Sequence, residues 1–197
     1  YSFPEGYKPE IQVIVNPDEK TLKFIDNGIG MTAEEVEKYI TQIAFSGATQ
    51  FLEKYKDKTT DDQMIGHFGL GFYSAFMAAK KIDVYTRKAA GDGKIWHWSS
   101  DGTNSYDLDE VSAESEIARK YGFDNPELSG SAIVMALNDD SKDYASRWKI
   151  EELVKKYSDH IAFPIYLHYD QNKYDDKGNV TSTENKVDKV NTASALW

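Results

Sequence analysis

Polar and apolar residues alternate across positions 10–15, the turn formers Asn16, Pro17 and Asp18 follow, and alternation resumes across 20–26. A period of two interrupted by turn chemistry predicts an antiparallel hairpin with one buried face. At Thr32 the period changes. Val36, Tyr39, Ile40 and Ile43 recur at helical spacing, and Thr32 with Glu35 three residues on has the pattern of a capping box, so a helix is expected over 32–42. Residues 46–60 are less regular, with a short helical piece near 50–55 and a polar run over 56–62 that reads as a mobile excursion. Small apolar residues over 71–80 predict a closely packed helix. Strands are expected at 82–87, 94–100 and about 105–108, with Gly91, Asp92 and Gly93 as the tight connection between the first two. Residues 111–129 read as a surface insertion with a short helix, 131–137 as a strand, 148–157 as a helix and 163–169 as the last strand.

Beyond Asp170 the chain turns polar and linker-like, which divides it into one domain over 1–170 and a linker over 171–197 leading toward a further domain. The order of elements lacks the regular β–α alternation of a doubly wound parallel sheet. It predicts an α+β two-layer sandwich, with a mostly antiparallel mixed sheet and helices on one face.

Composition narrows the chemistry. The 197 residues are 40% hydrophobic and 28% charged, as a folded domain requires, and carry a formal net charge of -10. That balance opposes general nucleic-acid binding, because nothing neutralises a run of phosphates. It leaves room for one bound nucleotide, since a local nest of backbone N–H groups holds phosphate on an acidic protein. There is no cysteine, so there is neither a disulfide nor a thiolate metal site, which fits a cytoplasmic setting. No apolar stretch has the length of a membrane span, and no signal-peptide pattern is present. The first methionine is Met31 and the chain opens at Tyr1, so the natural start is expected upstream.

Two motifs carry candidate chemistry. Asp26, Asn27, Gly28, Ile29, Gly30 and Met31 lie between a predicted strand and a capped helix. They read either as a plain turn or as a site in which glycines let backbone approach a ligand while a strand-end carboxylate accepts a hydrogen bond from an exocyclic amine such as that of adenine. Gly66, His67, Phe68, Gly69, Leu70, Gly71 and Phe72 run into the small-residue helix. A glycine turn feeding a helix start presents free N–H groups to an anion, or lets the helix pack closely on the sheet. The spacing matches neither the P-loop nor the dinucleotide fingerprint. Phe72, Tyr73 and Phe76 read more simply as core than as a cofactor box. His67, His97, His160 and His168 lack metal-ligand spacing, and the pairs Asp61–Asp62 and Asp175–Asp176 read as solvated turns.

Taken together, the runs D-N-G-I-G-M, I-A-F-S-G-A and I-G-H-F-G-L-G-F-Y-S-A-F resemble the ninety-kilodalton heat-shock chaperones, bacterial high-temperature protein G type, and the resemblance covers nearly the whole chain. The D-x-G-x-G element is shared with gyrase, mismatch-repair and histidine-kinase ATPases; the G-F-Y-S-A-F stretch is narrower. The resemblance implies a Bergerat-type fold that binds ATP or ADP with magnesium, in a chaperone acting on client proteins as a homodimer. It implies that Asp26 reads the adenine amine, partly through water, with Gly28, Gly30 and Met31 around the base. Ser131 stands where the family has a pocket threonine. Ser46, Gly47, Gly66, His67, Phe68, Gly69, Leu70, Gly71 and Phe72 would serve the phosphates and the ATP lid, which spans 46–69. Two positions depart from the family pattern: Tyr39 replaces an asparagine and Phe45 a lysine. The glutamate that activates water and the asparagine that ligates magnesium belong to a first pocket helix expected before Tyr1, so this chain alone is expected not to hydrolyse ATP. The rival readings are a protein-interaction module without nucleotide chemistry, and a mismatch-repair or gyrase-type ATPase domain.

Overall fold

A computed structural model describes residues 5–41, 72, 74–103 and 105–193. The expected first hairpin is present: β1 (Ile11–Asn16) pairs antiparallel with β2 (Thr21–Asp26), from Ile11 opposite Asp26 to Asn16 opposite Thr21. Thr32 caps the next helix as its spacing predicted, since its hydroxyl accepts from the Glu35 N–H while the Glu35 carboxylate accepts from the Thr32 N–H. The helix starts α-helical at Ala33–Val36 and widens to a π-turn over Glu37–Thr41. The expected short helical piece, the lid and most of the glycine turn lie outside the described residues.

The run 71–80 departs from its prediction. Phe72 and Ser74 are helical as expected, but the helix tightens to a 3-10 turn at Ala75–Met77, and β3 (Ala79–Arg87) begins before its predicted end. Small residues suit either state, and long-range pairing decides: Ala79 lies opposite Leu137 and Lys81 opposite Ala136, across a bulge. β4 (Ile95–Ser100) and β5 (Asp107–Val111) follow, the latter shifted toward the C-terminus because it pairs Val111 with Ile95 and Asp107 with Ser99. β6 (Gly130–Leu137) and the helix Arg147–Tyr157 lie close to their predicted places.

The last predicted strand is longer than expected and is not the last. β7 (Ile165–Tyr174) turns at Asp175 and returns as β8 (Val180–Lys189), so residues 171–189 of the expected linker are sheet. The outer half of β7, from Asp170, and most of β8 are polar and exposed, which removes there the alternation that sequence reading relies on. Asp175 makes the turn, its Oδ1 accepting from the backbone N–H groups of Lys177 and Asn179.

All eight strands form one sheet in the order β5-β4-β3-β6-β2-β1-β7-β8, and every neighbouring pair is antiparallel except β1 with β7. This is the mostly antiparallel mixed sheet of the α+β prediction. On one face Val36, Ile40, Ile150 and Val154 from the helices pack on Leu22, Ile82, Val84, Met135 and Leu137. The insertion is less superficial than expected. Its helix Glu116–Lys120 and the following turn bury Ala118 and Phe123 on the opposite face, against Tyr85, Ile95 and Ala132.

Trp98 anchors the larger core. It is fully buried, its indole N–H donates to Thr41 Oγ1 at 2.9 Å, and the rings of Phe72 and Phe76 meet it edge-on at 5.8 and 6.4 Å. Trp98→Ala is expected to cost about 3–5 kcal/mol, through the cavity and the orphaned Thr41 hydroxyl. Equilibrium urea unfolding, read as a fall in midpoint, checks this.

Candidate functional site

Asp26 is the last residue of β2, where strand gives way to the loop that leads to the capped helix. Its Oδ1 accepts from the Gly28 N–H at 2.8 Å, closing a turn over its own loop. A Cβ at Gly28 would stand 2.8 Å from that same oxygen, so glycine is what lets the carboxylate fold back. Burial pushes the Asp26 pKa up, and backbone N–H groups of Gly28 and Ser131 pull it partly back. The result is a desolvated carboxyl group fixed in direction, with two neutral backbone donors offsetting part of the cost of its charge.

Gly30 has the positive φ that two glycines in three positions permit, and a close neighbour besides. Its φ is +59°, and a Cβ there would lie 1.8 Å from the Arg87 carbonyl oxygen and 2.9 Å from that of Gly130. The backbone of β3 occupies the place that a side chain would take. Gly130 repeats the arrangement at φ +134°, with its missing Cβ 2.1 Å from the Asp26 carbonyl oxygen. Loop, β3 and β6 therefore meet at backbone distance.

Thr86, which sequence reading passed over, sits at this junction and is fully buried. Its Oγ1 accepts from the Met31 N–H at 2.9 Å and donates to the Gly130 carbonyl at 2.9 Å, which leaves the Ser131 hydroxyl to donate back to it at 3.0 Å. One hydroxyl thus joins the loop to both strands. Only the register of β3 against β6, which puts Thr86 opposite Ser131, reveals this role. Asn27 performs a similar task on the outer side: its Oδ1 accepts from the Glu10 N–H at 2.9 Å, its Nδ2 donates to the Lys8 carbonyl at 2.8 Å, and the Tyr7 hydroxyl donates to its carbonyl. Ser129 closes the ring by donating to the Gly28 carbonyl at 2.8 Å.

The structure brings together Asp26, Gly28, Gly30, Met31 and Ser131 around a cavity of about 420 Å³. Glu35, Tyr39 and Lys88 form its outer side, with Lys88 Nζ 2.8 Å from the Glu35 carboxylate. The ion pair holds the Glu35 carboxyl below its ordinary range, helped by the Thr32 N–H. Phe72 is directed elsewhere, its ring packed on Trp98 and Phe76 within the core. Ser46, Gly47, Gly66, His67, Phe68, Gly69, Leu70 and Gly71 lie outside the described residues. A larger and more apolar cavity of about 560 Å³ lies on the other side of the loop, between Tyr7, Pro9, Ile11, Ile29 and Phe163, and it too is bordered by Asp26, with Glu10 and Asn27. The smaller cavity gathers Asp26, Ser131, Glu35, Tyr39 and Lys88 around one space and is the candidate site.

Residues 8–125 match the family described as histidine kinase-, DNA gyrase B-, and HSP90-like ATPase. The chain is 46% identical over 188 residues to the chaperone protein HtpG of Treponema pallidum, covering 95% of the chain and 29% of that protein. It is 43% identical over 194 residues to the HtpG of Treponema denticola, covering 97% of the chain and 30% of the relative. For the HtpG of Helicobacter hepaticus the figures are 38% over 195 residues, 98% of the chain and 29% of the relative. The chain therefore spans about 29% of the length of these relatives.

Thr86→Val keeps the shape of the junction and removes its hydroxyl. The Met31 N–H and Gly130 carbonyl then lose a partner, which is expected to cost about 1–3 kcal/mol. Urea unfolding measures the loss, and faster amide exchange at Met31 than in the parent locates it.

Proposed function

This chain belongs to the histidine kinase-, DNA gyrase B- and HSP90-like ATPase family, and we propose that its cavity holds the adenine of ATP or ADP, with the Asp26 carboxylate accepting from the exocyclic amine. The orientation of Asp26 carries this reading. A carboxyl group fixed by its own loop and withdrawn from solvent presents an acceptor to a cavity walled by Gly28, Gly30, Met31 and Ser131, with Glu35, Tyr39 and Lys88 on its far side. The donor set fits the base end of a nucleotide: one anionic acceptor, the Ser131 hydroxyl, and an apolar Met31 surface. Bound ATP with magnesium would supply the phosphoanhydride whose hydrolysis drives the protein. The residues proposed for the phosphates, Gly66 to Gly71, and for the lid, 46–69, lie beyond the described set, as do the magnesium ligand and the water-activating glutamate of the family resemblance.

Similarity to the HtpG relatives extends the proposal to the longer protein. There, ATP binding and hydrolysis would drive a cytoplasmic homodimeric chaperone through a cycle on client proteins, with the strands that end at Lys189 leading toward a further domain. No helix among the described residues is long and apolar enough to cross a membrane.

Calorimetric titration with ADP and with ATP plus magnesium tests the reading, on this chain and on the chain extended to the length of the relatives. Absence of nucleotide heat in the extended protein overturns it. Asp26→Asn is expected to weaken nucleotide binding about 10- to 100-fold, equivalent to about 1.5–3 kcal/mol. Its effect on the unliganded fold has the opposite sign. A carboxyl whose folded pKa is raised contributes stability below its unfolded pKa and loses it as pH rises through the folded value. The Tm of Asp26→Asn relative to the parent should therefore climb between acid and neutral pH, as thermal melts across that range will show.

A further inference from the structure

The loop that aims Asp26 carries a second arrangement, centred on Asn27 and separate from nucleotide binding. Asn27 and Gly28 are the one Asn–Gly pair in the chain. Where glycine follows asparagine, no Cβ shields the next backbone nitrogen, which can then reach the asparagine side-chain carbon Cγ. Closing that ring is slow without help, because an amide nitrogen is a poor nucleophile and an amide carbon a poor electrophile. Hydrogen bonds in this loop act on both.

The Gly28 N–H donates to Asp26 Oδ1 at 2.8 Å. The carbonyl of the same peptide group, that of Asn27, accepts from the Tyr7 hydroxyl. A base on the nitrogen and a donor on the conjugated oxygen both favour loss of the amide proton. Burial raises the Asp26 pKa, which makes its carboxylate the stronger base. On the electrophile, Asn27 Oδ1 accepts from the Glu10 N–H at 2.9 Å. The Tyr7 hydroxyl, its hydrogen shared between the two Asn27 oxygens, lies 3.0 Å from Oδ1. Donors there stabilise the negative charge that Oδ1 gains when Cγ is attacked. Nδ2 donates to the Lys8 carbonyl at 2.8 Å, which fixes the far end of the side chain.

We propose that Asn27 is a self-modifying site, converted to aspartate and isoaspartate in the folded chain, with Asp26 as base and Tyr7 and Glu10 as donors to the oxyanion. Asp26 takes the Gly28 amide proton as the nitrogen bonds to Cγ, and Oδ1 becomes an oxyanion. The Cγ–Nδ2 bond then breaks, and Nδ2 takes up the proton and leaves as ammonia. Water opens the resulting succinimide at either carbonyl. Attack at Cγ restores the main chain and leaves aspartate; attack at the main-chain carbonyl leaves isoaspartate, whose backbone is longer by a methylene. Either product puts a carboxylate in place of the amide, so the Lys8 carbonyl loses the Asn27 donor and a further negative charge stands beside Asp26. No nucleotide takes part.

The test follows aspartate and isoaspartate at position 27 with time, by peptide mapping and mass spectrometry, in the chain held near neutral pH well below its Tm. The same chain unfolded in guanidinium chloride gives the unassisted rate. The folded chain is expected to react about 10-fold or more faster than the unfolded one. Tyr7→Phe should slow the folded reaction about 10-fold and leave the unfolded rate unchanged. A folded rate at or below the unfolded one overturns the proposal, and this comparison needs no variant to fold. A folded Tyr7→Phe chain that reacts as fast as the parent overturns it as well.

Discussion

Three stretches of backbone meet beside Asp26 at a distance that excludes side chains. Carbonyl oxygens of Arg87 and Asp26 stand where a Cβ of Gly30 and of Gly130 would be. With any other residue the strands must separate, and both glycines also hold positive φ, so substitution is strained twice over. The closeness is what allows a single threonine hydroxyl to serve Met31, Gly130 and Ser131 together. It also sets β6 between β2 and β3, and so fixes the centre of the sheet. Cavity, loop path and carboxylate direction all follow from it.

Around that junction the two faces of the sheet do different work. One face holds the helices and most of the apolar volume, with Trp98 at its centre. The other is covered thinly by the 111–129 segment and carries charged and aromatic groups: His97 stacks on Tyr85 at 4.4 Å, and Tyr121 stacks on Tyr85 at 5.2 Å. Burial and the nearby Asp83 charge push the Tyr85 phenol up to about 12. Burial acts on Asp26 in the same direction, raising its pKa and so penalising its charged form.

The sequence made much of this legible, and its failures have physical reasons. The β1–β2 hairpin and the Thr32 capping box were readable because their signals are local: period, turn residues and a side chain three positions on. The clustering of Asp26, Gly28, Gly30, Met31 and Ser131 was expected from the family resemblance, and the chain places them together. Gly30 has the positive φ that its motif permits, while its close approach to β3 is invisible without the register. Thr86 left no signal, because a threonine in a strand looks like any other β-branched residue. The β7–β8 hairpin escaped for the opposite cause, as a polar, two-sided ribbon has no buried face to mark it. The start of β3 at Ala79 was hidden by residues content in either state, settled only by pairing with β6.

The insertion of β6 between β2 and β3 has a consequence for how the chain assembles during synthesis. β1 and β2 pair with each other at once, but their outer edges wait for β7 and β6, and Ser129 lies 101 residues beyond the Gly28 it must reach. At ribosomal speeds of about 5–20 residues per second, that is a delay of roughly 5–20 s with two strand edges open. The aromatic and β-branched residues of this hairpin, Val13, Val15, Phe24 and Ile25, are the kind that recruit unwanted strands during such a wait. Lys20 and Lys23, in β2 and its turn, put positive charge into this otherwise sticky hairpin, the kind of placement that opposes unwanted pairing.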